Sequence, residues 1–200
     1  MIPATEHRVK GRPAAAELLA RGGPREILAR IVPDDPLELR ARVARRARER
    51  ALLLDVDRAC LRTMALCAAR AVRYRGRPRL DLWLRARVEE VLDGLLDEER
   101  QGVAPPSPAG EPPAAEAVRA AGGLAARFDL APDALAAGCA RFHRLSFADR
   151  DAFLRLVVEA APLDATARAL GTSATELARG ARRALCALLG RSTQADEEAR

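Results

Sequence analysis

The chain has a single lysine, Lys10, and no asparagine, so arginine carries nearly all of its positive charge. A GC-rich genome produces that bias, which therefore implies no phosphate code of its own. Aromatic residues make up only 3% of the chain, and β-branched residues are few. Strands need both, so the shortage leaves Ala and Leu to build aliphatic helical cores and predicts an all-α protein. The four cysteines, Cys60, Cys67, Cys139 and Cys186, show neither CxxC spacing nor a secreted disulfide pattern. Cys60 and Cys67 lie seven apart on one predicted helix and are expected to face its core as small hydrophobes. Cys139 and His143 are four apart and could reach one metal, but no second ligand pair accompanies them, and no metal site is expected. His7, the other histidine, suggests nothing.

No apolar run reaches membrane-spanning length, and the first residues lack the pattern of a secretory signal. The expectation is a cytoplasmic protein with reduced thiols and no membrane partner. Glycine-rich phosphate loops, HExxH and any nucleophile–histidine context are missing, so neither an enzyme nor a cofactor is expected. Asp55 and Asp57, two apart on a helix, point in different directions and make no carboxylate pair.

The net charge is +6 over 200 residues, and its distribution says more than its size. Arg40, Arg42, Arg45, Arg46, Arg48 and Arg50 form one block against Glu49 alone. Arg70, Arg73, Arg75, Arg77, Arg79, Arg85 and Arg87 form a second, opposed within that span by Asp81. Like charges at this density need a solvated face or an anionic partner. Residues 1–12 are expected to be a disordered terminus and 13–100 a helical domain. Within that domain, helices are expected over Pro13–Arg21, Pro24–Ile31, a basic stretch from Pro33–Pro36 to near Leu54, Asp55–Val72 and Leu80–Arg100. Residues 101–113, QGVAPPSPAGEPP, cannot form a core and read as a Pro-rich linker. A second domain is expected over 114–191, with helices over Ala114–Ala126 and Pro132–His143, and an acidic tail over 192–200.

The segment Leu145–Leu189 reads as three helices. Ser146 can cap the first, whose apolar Ala152, Phe153, Leu156 and Val157 fall at helical spacing before Pro162 ends it. A short helix over Leu163–Leu170 follows; Gly171 supplies a sharp turn and Ser173 caps the third helix. There Leu177, Ala181, Ala184, Leu185 and Leu188 form an inner stripe, leaving Thr175, Glu176, Arg179, Arg182 and Arg183 outward. This is a helix-turn-helix pattern whose last helix could enter a major groove, with an ordinary helical hairpin as the plain alternative. Leu145, Arg150, Glu159, Leu163, Ala167, Leu170, Gly171, Ser173, Arg183 and Ala184 together resemble, without a gap, the last DNA-binding domain of sigma-70-type transcription initiation factors of the extracytoplasmic-function class. Departures are Ser146 in place of proline, Ala161–Pro162 in place of Leu–Ser, and Ala178–Arg179–Gly180 in place of a basic-polar-basic triplet.

A second stretch is similar to the upstream domain of the same family. Asp55, Asp57, Tyr74, Arg75, Gly76, Leu80, Trp83 and Leu84 fall at the spacings of its acidic helix, basic turn and TWL helix. The resemblance implies a promoter-melting surface at Arg75, Arg77, Arg79, Trp83, Arg85 and Arg87, where an unstacked base could be held, with a packing role as the alternative for Trp83. It implies a polymerase-docking face at Asp55, Asp57, Arg58, Leu61 and Arg62. Arg58, Leu61 and Arg62 stand where the family places Asp, Gln and Glu, and Glu89, Glu90, Asp93, Asp97, Glu98 and Glu99 occupy a helix that is basic in the family. What the resemblance implies is a sigma-like initiation factor that binds core RNA polymerase and promoter DNA, with room for an anti-sigma partner. The alternatives are a helix-turn-helix regulator without polymerase docking and a sigma-like protein-interaction module.

Overall fold

A computed structural model of the chain describes residues 15–101, 128 and 130–191. Among these it holds nine α-helices and no strand, the all-α class expected. The expected tails over 1–12 and 192–200, the linker beyond Gln101 and the helix over Ala114–Ala126 lie outside the described residues.

Two short helices, α1 (Ala15–Ala20) and α2 (Pro24–Ile31), open the described chain. The Glu26 carboxylate accepts the Gly23 N–H at 3.0 Å and closes the first turn of α2. Their buried Leu18, Leu19, Ile27 and Ile31 pack on Cys60, Met64 and Cys67 of α4 (Val56–Ala71) and on Trp83 and Leu84 of α5 (Leu80–Arg100). Both cysteines thus fill the core as small hydrophobes. Further along α5, Val88, Leu92 and Leu96 meet Val43 and Ala47 of α3 (Leu39–Glu49) in a second cluster. Each large side chain buried this way contributes roughly 1.5–3 kcal/mol.

Helix α3 ends at Glu49, five residues before the expected end near Leu54. Ala51 takes a left-handed conformation with φ 52°. Its N–H reaches the Arg48 carbonyl and the Leu52 N–H reaches Ala47, at 3.0 and 2.8 Å. This pattern closes a helix end, a place glycine usually takes. The left-handed turn costs an alanine about 1–2 kcal/mol. Burial offsets it, because Ala51 is fully enclosed and Leu53 reaches a third core made mostly by the later helices.

Those later helices are α6 (Pro132–His143), α7 (Phe147–Phe153), α8 (Leu163–Leu170) and α9 (Ala174–Leu189). Phe142 and Phe153 meet edge to face with centroids 5.4 Å apart, and Leu135, Leu154 and Leu188 complete the cluster with Ala51 and Leu53. The α7 helix widens into a π-turn over Leu154–Val158, where the Glu159 N–H bonds the Leu154 carbonyl at 2.9 Å. It stops before Pro162, which cannot continue a helix. Among the described residues no helix is long and apolar enough to cross a membrane.

Candidate nucleic-acid interface

The α7–α8–α9 unit owes its shape to local signals. Ser146 accepts the Asp149 N–H at 3.2 Å and caps α7. Gly171, with φ 65°, ends α8 in the left-handed region that glycine occupies without strain. Ser173 accepts the Glu176 N–H at 3.1 Å, and the Glu176 carboxylate reaches back to the Ser173 N–H, a reciprocal cap for α9. Thr172 donates its hydroxyl to the same carboxylate at 3.0 Å. That bond, followed by those from Ser173, holds the Glu176 carboxyl below the usual glutamate range. Glu176 therefore serves the helix start rather than standing ready for a base.

Leu177, Gly180, Ala181, Ala184 and Leu188 form the buried face of α9, and Thr175, Arg179, Arg182 and Arg183 are exposed. Gly180, one of the departures in the recognition stretch, lies on the inner stripe against α7. A Cβ placed on it would stand 2.9 Å from the Asp149 Oδ1 and 3.6 Å from the Ala152 Cβ. Asp149 receives Arg183 Nη2 at 2.5 Å, so Arg183 ties α9 to α7. Thr175, Arg179 and Arg182 lie on the exposed side of α9.

In the first half, the arginine series divides in two. Arg70 and Arg87 pair with Glu90, and Arg87 also lies over the Trp83 ring, 5.7 Å from its centroid. Trp83 is 8% exposed and packs on Tyr74 with centroids 5.0 Å apart, so the ring is committed to the core. The Tyr74 hydroxyl donates to the Pro78 carbonyl at 3.1 Å, and Arg75 Nη1 to the Val72 carbonyl at 2.7 Å. These bonds shape a turn through Gly76, φ 78°. Arg73, Arg77, Arg79 and Arg85 stand exposed with no acidic partner among the described residues.

The α4 face carries Leu61, 57% exposed, with Asp55 used as the α4 cap and Asp57 bound by Arg40 at 2.6 Å. Arg58 and Arg62 both reach Glu98 of α5, at 3.4 and 2.6 Å. Burial lowers the Arg58 guanidinium, and the hydrogen bond from Arg62 lowers the Glu98 carboxyl. The other acidic residues of α5 are matched as well: Glu89 with Arg46 and Arg50, Asp93 with Arg50, Asp97 with Arg100. The acidic run of α5 is thus largely matched by arginines.

Polar contacts also join the two halves. Arg48 donates to Asp151 at 2.6 Å and to Glu159, while Arg155 holds the other Asp151 oxygen at 2.7 Å. His143 Nε2 accepts the Leu53 N–H at 3.0 Å, which assigns the ring proton to Nδ1 facing Glu99 at 2.6 Å. His143 is thereby engaged away from Cys139. Among the described residues no group of three or more His, Cys, Asp or Glu is arranged to hold a metal. Sequence reading missed the joining set of Arg48, Asp151, Glu159, Glu99 and His143, whose partners lie 44 to 111 positions apart in the chain. No family model, no curated protein and no solved structure matches the chain.

Proposed function

We propose that this chain is a sigma-like transcription initiation factor: α9 reads duplex DNA, the α4 face meets core RNA polymerase, and the arginine turn before α5 holds opened promoter DNA. The observation that carries the reading is the capped α8–α9 turn, which presents Arg179 and Arg182 on an outward face of a rigid helix. Arginine at such a place can fork onto guanine or neutralise phosphate. No residue is assigned a catalytic role, since binding alone opens DNA and the polymerase performs the phosphoryl transfer. An anti-sigma protein is a compatible partner, and a cytoplasmic location follows from the reading.

The Arg58–Glu98 and Arg62–Glu98 pairs favour a second reading, a helix-turn-helix regulator that has given up polymerase docking. They leave Asp57, itself paired with Arg40, as the acidic group beside Leu61, where the family places Asp, Gln and Glu.

Duplex binding tests the shared part of both readings. Arg179→Glu with Arg182→Glu abolishes capture of duplex DNA in a selection from random sequence, with helicity unchanged. Equal capture by the variant removes α9 from the interface.

A further inference from the structure

The basic block on α3 borders a groove of which the promoter-binding reading uses Arg85 alone. Arg42, Arg45 and Arg46 share one side of α3, and Asp81 and Arg85 share the facing side of α5; between them lies a groove of about 220 Å³. Two of its guanidiniums are fixed. Arg42 donates to Asp81 at 2.9 Å and to the Leu37 carbonyl at 3.1 Å, and Arg46 is held by Glu49 and Glu89. Arg45 and Arg85 are exposed and have no acidic partner among the described residues. The wall between them is apolar: Val88 is fully buried beneath, and Leu82 is 56% exposed at the lip.

We infer that this groove binds the phosphodiester backbone of single-stranded nucleic acid, with Arg45 and Arg85 as the phosphate contacts. Guanidinium donors match phosphate oxygens two at a time. The four arginines outnumber Glu49 and Asp81, so the groove keeps a surplus of positive charge after its internal pairs are formed. An exposed leucine inside a cationic groove suits an unstacked base or sugar face, which a duplex does not offer. The groove also takes in the first turns of α5, which follow Arg77 and Arg79 directly in the chain. The inference rests on the proposed binding of opened DNA and extends it to α3, a helix that reading leaves without a role.

The test is fluorescence anisotropy of the full chain with labelled oligo-thymidylate across a salt series. Arg45→Ala with Arg85→Ala weakens binding about tenfold and lowers the log–log salt slope by roughly 1.4, two contacts at about 0.7 each on a single strand. Thermal stability is unchanged, because neither side chain makes an ion pair among the described residues. Arg77→Ala with Arg79→Ala is measured in parallel. If that pair loses affinity while the Arg45 and Arg85 variant binds like the parent, the groove inference is overturned and the promoter-strand reading stands. If the parent itself ignores the oligonucleotide at low salt, both fall. Polyglutamate that displaces the oligonucleotide at equal charge overturns the inference in favour of a general polyanion surface.

Discussion

Arg48 Nη1 and Asp151 Oδ1 lie 2.6 Å apart although 103 positions separate them in the chain. Asp151 is 6% exposed and is held from the other side by Arg155. A buried carboxylate between two guanidiniums fixes how the helices of the second half meet α3, and Ala51 and Leu53 fill the apolar space beside it. Removing one member of such a set leaves a charge short of partners.

Arg48→Ala is therefore expected to cost about 1–2 kcal/mol, less than a fully buried pair because Arg155 remains and Arg48 is partly solvated. Urea unfolding measures it. In a double-mutant cycle with Asp151→Asn, a coupling of at least about 0.5 kcal/mol is expected. Additive losses would mean that the two side chains act independently.

Acid should act on the same contact. Burial alone would raise the Asp151 carboxyl, but the hydrogen bonds from Arg155 and Arg48 outweigh it and hold it below the usual aspartate range. A depressed carboxyl stabilises the fold above its unfolded value, about 3.9, and that contribution is lost as pH falls through the depressed folded value. The unfolding midpoint of the parent should drop below about pH 4, and Asp151→Asn should flatten that limb. An unchanged acid limb in the variant would place the sensitivity elsewhere, first at Glu98, which Arg62 also holds down.

Two helical glycines should respond in opposite ways to alanine. A Cβ on Gly138 of α6 runs into the backbone carbonyl of Leu188, which cannot swing aside, so Gly138→Ala should destabilise by about 1–3 kcal/mol. On Gly180 the near atom is the end of the Asp149 side chain. Helix propensity gains about 1 kcal/mol there, and the disturbed Asp149–Arg183 pair gives back a similar amount. Gly180→Ala should therefore move the urea midpoint little. The ranking is the test, and a larger loss at Gly180 than at Gly138 would contradict the packing described.

The thiols should be quiet in the folded chain. Burial pushes Cys60 up to about 11 and both Cys67 and Cys139 up to about 12. Since the thiolate is the reactive form, alkylation of these three at pH 8 should be slow until denaturant is added. Rapid native labelling of Cys67 would show that the first core opens readily.

Much of the second half was legible because its signals are local. Ser146, Gly171, Ser173 and Glu176 each act within four residues, so capping and turn chemistry marks three helices without tertiary knowledge. Gly180 is visible in sequence only as a departure from the family triplet, because its close approach is to Asp149 of another helix. The early end of α3 was hidden because alanine, not glycine, takes the left-handed position at Ala51. The acidic face of α5 was visible as composition, but its partners Arg46, Arg50, Arg58 and Arg62 come from α3 and α4, which spacing along one helix cannot show. Trp83 was open to two roles, and only its contact with Tyr74 and its burial assign it to the core.

The most direct test of the initiation-factor reading is whether the purified chain co-elutes with core RNA polymerase and is displaced by a known sigma-type factor. A competed complex, weakened by Leu61→Arg on the exposed α4 face, is the expected result. No complex, with duplex DNA binding through Arg179 and Arg182 retained, would contradict it and leave a polymerase-independent regulator.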